Sequence, residues 1–391
     1  MKKAVNRFQL KLWFTLKAGI KRVLPTYYGT WYRNVPTIHA RDMKTPKRIL
    51  LLNGAHIGDI VITTSLLPIL RGAYPNAEIG FVVGSWSQMV VKNHPEVAFT
   101  HCVDHWRHNR SSDSLLRKIQ KYLRTWRKAL DEIRDLKYDV AICLYTVYPD
   151  FLDLAWRAEI PVRIGFSRSI MSFLATDVVH DPENPFPTQG ERLAMTLEPL
   201  GVSPAHMALR KSSLAPSTMA AIEEVRRLLA VTDLAAARYR IIHMGTGAQR
   251  REFPISFWRD LAAKLSSDTT LLFTGQGKRE QDNIQQVIRD LPNCIDAGGK
   301  LSWEGFVAAV RHADVLYGVE SMAGHVAGAV GTRCVVAYGG TAGVSRWRPE
   351  GPTCVVVTNH VPCAPCLNAQ GCAQMTCMQG IRTDDLIELS R

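Results

Sequence analysis

One acidic residue stands out for its position. Asp59 lies in the stretch Arg48-Ile-Leu-Leu-Leu-Asn-Gly-Ala-His-Ile-Gly-Asp59, followed by Ile-Val-Ile-Thr-Thr-Ser-Leu-Leu-Pro68. The pattern predicts a buried strand, a tight glycine-containing turn and a helix with Asp59 in its first turn. Ligands of open α/β sheets bind at the carboxyl edge, where strands hand over to helices. Asp59 is therefore a candidate general base, able to take a proton from an attacking hydroxyl. An acid at this place is also an ordinary helix cap.

Two later turns suit phosphate. The first is His243-Met-Gly-Thr-Gly-Ala-Gln-Arg-Arg-Glu-Phe-Pro254. Gly245 and Gly247 allow close approach of backbone to a ligand, Thr246 offers a hydroxyl, and Arg250 and Arg251 offer cationic forks. A plain glycine-rich βα turn with solvated arginines fits the same residues. The second is Gly318-Val-Glu-Ser-Met-Ala-Gly-His-Val-Ala-Gly-Ala-Val-Gly331. Ser321 stands where an N-cap belongs, so the free N–H groups of Met322, Ala323 and Gly324 would face a diphosphate, aided by the helix dipole. His325 adds a hydrogen bond or a proton, or is structural. Gly328, Ala329 and Gly331 read as close helix–strand packing. A third segment, Tyr338-Gly-Gly-Thr341 through Arg346-Trp-Arg-Pro349, is expected at the same sheet edge.

Arg163 and Arg168 flank Ile-Gly-Phe-Ser after a strand and are candidate acceptor contacts. The helix 115–136 carries Arg117, Lys118, Lys121, Arg124, Arg127 and Lys128, which suits an acidic acceptor or a solvated face. Cys363, Cys366, Cys372 and Cys377 have a spacing that fits a four-thiolate structural zinc, redox-prone free thiols or disulfides. Asp-x-Asp, the usual carboxylate pair of metal-using sugar-nucleotide enzymes, does not occur. The serine-hydrolase elbow, the Walker A lysine and an intact GxGxxG are also missing, against hydrolase, ATPase and dehydrogenase chemistry.

Several elements must position these residues. At 391 residues, two domains are the natural expectation. The net charge of +13 is concentrated in residues 1–48, which hold twelve Lys/Arg against one acid, Asp42. The remainder holds 36 basic and 34 acidic residues, so no basic stripe is expected on the folded body and nucleic acid is an unsuitable partner. Within the arm 1–47, Val5, Phe8, Leu12, Leu16, Ile20 and Val23 share one helical face and basic residues fill the other. That pattern suits an anionic membrane surface, or a helix packed on the protein's own body. Lys11 and Lys17 interrupt the apolar core that a cleavable signal needs, and no run of ~18 uncharged apolar residues is present. A cytoplasmic location, peripheral on the inner membrane, is the expectation.

Strand and helix signals alternate twice. The first series runs Arg48–Asn53, helix Ile60–Tyr74, Glu78–Val83, short helix Trp86–Asn93, helix Leu115–Leu136, Asp139–Tyr145, helix Phe151–Arg157 and Val162–Phe166. A proline-rich stretch, 176–216, precedes the second series. That series runs Tyr239–Met244, helix Ile255–Ser266, Thr270–Thr274, helix Lys278–Asp290, helix Trp303–His312, Val315–Tyr317, helix Met322–Val330, Cys334–Tyr338 and a last helix Asp384–Ser390. The fold class is α/β: two facing doubly wound, Rossmann-like parallel-sheet domains, 48–210 and 211–391, with a cleft between them.

In order, Ile-Gly-Asp-Ile-Val-Ile-Thr-Thr-Ser-Leu-Leu-Pro, Val-Glu-Ser-x3-His-Val-Ala-x-Ala-Val-Gly-Thr, Tyr-Gly-Gly-Thr…Trp-Arg-Pro and the cysteine segment 363–378 resemble glycosyltransferase family nine, the lipopolysaccharide heptosyltransferases. The resemblance spans roughly residues 48–380. It implies a GT-B fold and inverting, metal-independent transfer of heptose from ADP-heptose to the lipopolysaccharide inner core, a lipid-linked saccharide acceptor. It casts Asp59 as base, with Thr246 and Arg251 at phosphate and Ser321 and Met322 at the diphosphate; Gly247, Ala323 and Gly324 join them as donor-side candidates from the turn reading alone. It makes His325 the motif histidine, Glu280 the ribose acid and Leu301 the adenine contact. The family's Asp-Ser-Gly-Pro-x-His appears here as Glu320-Ser-Met-Ala-Gly-His325, Lys-x-Trp-Pro as Arg251-Glu-Phe-Pro254, and Gly-Pro-Thr-Asp as Gly339-Gly-Thr-Ala342. No cofactor beyond the donor is expected. A non-catalytic sugar-nucleotide or glycolipid-binding protein and a GT-B epimerase are the competing readings.

Overall fold

The computed structural model describes residues 35–146, 151–181, 188–341, 343–366, 368 and 371–390. The patterned arm residues Val5 to Val23 lie outside them. In chain order the main elements begin with β1 (Arg48–Leu52), α1 (Ile57–Thr63), α2 (Leu66–Ala73), β2 (Glu78–Val83) and β3 (Phe99–Cys102). They continue with α3 (Leu115–Leu136), β4 (Val140–Cys143), α4 (Phe151–Arg157), β5 (Val162–Phe166), β6 (Asp177–Val179) and α5 (Met219–Leu229). Next come β7 (Tyr239–His243), α6 (Ile255–Leu265), β8 (Thr270–Thr274), α7 (Lys278–Ile288), β9 (Cys294–Asp296) and α8 (Trp303–His312). The series closes with β10 (Val315–Val319), α9 (Met322–Val330), β11 (Cys334–Tyr338), β12 (Cys354–Thr358) and α10 (Thr383–Glu388).

The chain forms two compact units. Of the described residues, one holds 35–56, 66–146, 151–181 and 191–210; the other holds 57–65, 188–190 and those from 211 onward. The helix bearing Asp59 thus groups with the second unit, whereas the strand that precedes it in sequence groups with the first.

The first unit is built on a six-stranded parallel sheet ordered β3-β2-β1-β4-β5-β6. Its interior strands are continuous apolar runs because both faces are covered. Leu50 and Leu52 of β1, Ala141 of β4 and Trp156 of α4 share one core, where each fully buried leucine contributes about 2 kcal/mol. The second unit repeats the plan as β12-β11-β10-β7-β8-β9, all parallel. Trp258 of α6, Phe273 of β8, Tyr317 of β10 and Met378 anchor its core. α10 packs on α6 and β11, and Lys264 ties it down by reaching Asp384 at 2.8 Å. Each sheet reverses its winding once, at β1/β4 and at β10/β7, and ligands bind at such switch points.

The expected helix Ile60–Tyr74 is two helices. The Thr64 hydroxyl donates to the Val61 carbonyl at 2.6 Å and accepts from the Ser213 N–H at 3.0 Å. Such side-chain bonds compete with the helical ladder, and the break falls at Thr64–Ser65. The stretch 176–216 holds β6 and three helical turns, Gln189–Ala194, Met195–Leu200 and Pro204–Met207.

Candidate active site

The two phosphate-suited turns meet at the switch point of the second sheet. β7 and β10 are neighbours with Gly318 opposite His243, so the turns after them leave the sheet side by side. Arg251 in the first turn donates to Glu320 at the end of β10, Nη1 to Oε1, at 2.8 Å. Both side chains are largely buried. Burial raises the Glu320 pKa, and Arg251 pulls it back. Thr341, from the turn after β11, donates to the other Glu320 oxygen at 3.5 Å. One carboxylate thus joins three strand ends.

The N-terminus of α9 is open. Ser321 holds the extended backbone of an N-cap, yet its side chain caps nothing, and its buried Oγ has no hydrogen-bond partner among the described residues. The buried Nε of Arg251 is equally unpartnered. The N–H groups of the first helical turn carry positive potential and have no intrahelical acceptors. Met322 is partly exposed, and Ala323 and Gly324 are buried. Desolvation lowers the His325 pKa to about 4, against a weaker pull from Glu350. His325 is therefore a neutral hydrogen-bonding group at physiological pH. Gly324 lets α9 approach Pro349 and Val336, and a Cβ on Gly328 would lie 2.2 Å from the Glu350 carbonyl oxygen. Gly331 ends the helix at φ 84°.

α1 packs on α9. Asp59 lies in its first turn, partly exposed, and its carbonyl accepts from the Thr63 hydroxyl at 2.8 Å. Gly58 makes the approach possible: a Cβ there would sit 3.2 Å from His325 Cδ2 and 3.6 Å from the Met322 Cα.

The remaining donor-side residues occupy different situations. The Thr246 hydroxyl is engaged within its own turn, donating to the Ala248 carbonyl at 3.0 Å and accepting from the Ala248 N–H at 2.9 Å. The expectation of a free hydroxyl is corrected on that ground. Gly247 is exposed. The Glu280 carboxylate lies over Gly245, whose added Cβ would come within 2.3 Å of it, and it accepts from the Gln276 N–H at 2.9 Å. Gly245, Glu280, Met244, Thr274 and Trp258 line one small cavity. Leu301 sits partly exposed in the turn before α8. Glu252 went unnoticed in sequence: it accepts from the Thr246 N–H at 3.2 Å and from Arg279 at 2.7 Å, fastening the first turn to α7. Its only sequence signal is the spacing from Thr246.

The expectations for Arg163 and for a four-cysteine zinc site need correction. Arg163 is buried and directed at carbonyls, those of Leu174 at 2.8 Å, Pro36 at 3.0 Å and Ile160 at 2.5 Å, so its guanidinium fastens backbone. Arg168 pairs with Asp181 at 3.2 Å, a carboxylate that Arg192 also holds. Cys363 and Cys366 are exposed, whereas Cys377 is buried in the core. Among the described residues no group of three or more His, Cys, Asp or Glu could hold a metal ion, and the four cysteines are free thiols. In the first unit, sequence reading missed a ring cluster. His108 lies edge-on to His56 at 5.6 Å and to Tyr145 at 5.3 Å, and His105 edge-on to Tyr122 at 4.9 Å. Burial first, then neighbouring cationic groups, lowers the pKa of His56 and of His105 to about 4. Residues 56, 105–108 and 145 are remote in sequence, and only the parallel sheet gathers them.

Two doubly wound parallel sheets, each with one switch point, form the GT-B fold. The glycosyl transferase family 9 from Veillonella parvula DSM 2008 superposes with a TM-score of 0.75 at 18% identity, covering 91% of this chain and 98% of that one. E. coli ADP-heptose lps heptosyltransferase II gives 0.69 at 17% identity, covering 88% and 97%. E. coli heptosyltransferase WaaC with ADP gives 0.67 at 16% identity, covering 88% and 100%. The chain belongs to glycosyltransferase family 9 (heptosyltransferase), whose family model matches residues 126–376, and it is a glycosyltransferase. The matched segment carries Thr246 to His325; Asp59 lies before it. No curated protein matches the chain by sequence.

Proposed function

We propose that the chain is an inverting, metal-independent transferase that moves a heptose from ADP-heptose to a lipopolysaccharide inner core or a related lipid-linked saccharide. The observation that carries this reading is the open end of α9, where the Ser321 hydroxyl and Arg251 Nε are buried without partners among the described residues. Unmatched donors of this kind, aimed with a helix N-terminus, suit a diphosphate. The structurally similar E. coli ADP-heptose lps heptosyltransferase II and heptosyltransferase WaaC with ADP suggest the donor class. The absence of Asp-x-Asp supports charge neutralisation by amides, hydroxyl and guanidinium.

In this mechanism the Asp59 carboxylate takes the proton of an acceptor hydroxyl. The oxygen attacks the anomeric carbon as the bond to the diphosphate oxygen breaks, and the electron pair leaves with ADP. Ser321, the Met322–Gly324 amides and Arg251 stabilise the charge that develops there. Glu320 holds Arg251 in place before the donor arrives. Glu280 is assigned the ribose hydroxyls, Leu301 and the cavity beside Gly245 the nucleotide end, and neutral His325 a hydrogen bond to phosphate. Arg168 is the remaining candidate on the acceptor side.

Among the described residues no helix is long and apolar enough to cross a membrane. A lipid-linked acceptor and the basic arm favour work at the inner face of the inner membrane. Thermal shift and turnover with ADP-heptose against other nucleotide sugars, with and without EDTA, test the reading. Stabilisation by ADP-heptose and EDTA-resistant transfer are expected. Stabilisation by another nucleotide sugar alone, or activity abolished by EDTA and restored by a divalent cation, overturns it.

A further inference from the structure

The helix α3 has an exposed face that its own unit leaves uncovered. Only Ala129, Leu130 and Ile133, all in its last third, are buried. Leu115, Leu116 and Leu123 are 58%, 65% and 48% exposed. At 100° per residue, Leu116, Gln120, Leu123 and Arg127 fall within about 60° of one another, flanked by Arg117, Arg124 and Lys128. Residues 115–128 hold six basic residues and no acid. Lys121 is committed inward, 2.7 Å from the fully buried Asp104 carboxylate, and Lys128 leans to Glu132 at 3.6 Å. Arg117, Arg124 and Arg127 form no ion pair among the described residues. The acids nearest this stretch in sequence are Asp113, two residues before the helix begins, and Asp131, a turn beyond Arg127.

We infer that this face of α3 is a docking surface for anionic phospholipid. A merely solvated helix gains nothing from three projecting leucines, whereas a helix lying in a bilayer interface inserts its leucines and sets its basic residues at headgroup level. Charge selects the occupant. A second copy of this chain would oppose basic residues with basic residues, and so would the chain's own arm, with twelve Lys/Arg to one acid in residues 1–48. An anionic lipid surface complements both. The surface is independent of the sugar chemistry proposed above.

The test is flotation of the full-length protein with vesicles of phosphatidylcholine alone or with phosphatidylglycerol. Three variants are compared: Leu116→Gln/Leu123→Gln, Arg117→Gln/Arg124→Gln/Arg127→Gln, and Lys11→Glu/Lys17→Glu/Lys21→Glu in the arm, alone and combined with each of the others. The changed α3 side chains are exposed, and unaltered melting confirms folding. Wild-type binding is expected to require phosphatidylglycerol and to weaken with salt. The triple arginine change should weaken it on the order of a hundredfold. The leucine pair should weaken it in high salt too, and both losses should persist when the arm is altered. Failure of the wild type to bind, or α3 variants that bind as tightly as their parents in both arm backgrounds, overturns the proposal. Acidic proteins captured without vesicle binding count as the same refutation.

Discussion

Arg251 and Glu320 form an ion pair of 2.8 Å that ties the turn after β7 to the end of β10, with the two side chains 18% and 15% exposed. Replacing Arg251 by Met leaves Glu320 ionised without its counter-charge, a loss of about 3 kcal/mol for a buried pair. Burial already raises the Glu320 pKa and Arg251 lowers it, so the variant's Glu320 titrates higher still. A raised folded pKa favours the folded state at low pH, and that contribution is lost as pH rises through it. The deficit in melting temperature should therefore be large at neutral pH and shrink on acidification. Arg251→Lys should keep stability better than Met but raise the donor KM, because a point charge replaces a fork. A deficit that does not vary with pH would refute the pairing argument.

Ser321 separates folding from binding. Its buried hydroxyl has no partner among the described residues, so Ser321→Ala removes an unsatisfied group and should leave melting unchanged or raised. Donor affinity should nevertheless fall about tenfold, the value of one hydrogen bond to a charged group. Calorimetry with ADP and thermal unfolding of the same samples decide the matter. A destabilised variant with normal ADP affinity would make Ser321 a structural cap.

For Asp59, the proposed base, substitution by Ala should reduce kcat by on the order of 10²–10⁴ with donor binding retained. Gly58→Val should imitate part of that loss without touching the carboxylate, because the new side chain meets His325 and drives α1 from α9. Near-normal turnover by Asp59→Ala in the presence of donor and acceptor would remove it from the mechanism.

Three histidines make the fold acid-sensitive. His56, His105 and His325 titrate near 4 in the folded protein, against an ordinary value of 6.5. Between these values the unfolded chain binds protons that the folded chain refuses, so stability is complete above about 6.5 and falls toward 4. His105→Gln combined with His325→Gln should flatten the profile of melting temperature over that window. An unchanged slope would place the acid sensitivity elsewhere.

Legibility followed burial. Eight interior strands, from Leu50 of β1 to Val336 of β11, read as apolar runs in sequence. The strands absent from that reading are the four sheet edges, β3, β6, β9 and β12. An edge strand is half covered, and its residues are mixed accordingly: Phe99–Cys102 and Cys294–Asp296 carry no apolar run. Cys354–Thr358 is the exception, apolar enough to have been found. In the site, the turns themselves were visible because glycines, Ser321 and arginines cluster locally. The engagement of the Thr246 hydroxyl, the Arg251–Glu320 pair, Glu252 and the histidine cluster depend on which strands become neighbours, and local sequence carries no record of that.

The polypeptide passes from one unit to the other five times. The two units are accordingly not separable genetic modules. A fragment beginning at Lys211 would lack Ile57–Ser65, leaving bare the side of α9 against which that segment packs and carrying no Asp59. Exchanging donor halves among relatives at residue 210 would pair each α9 with a foreign α1, so a functional chimera must carry residues 57–65 along with the half it transfers.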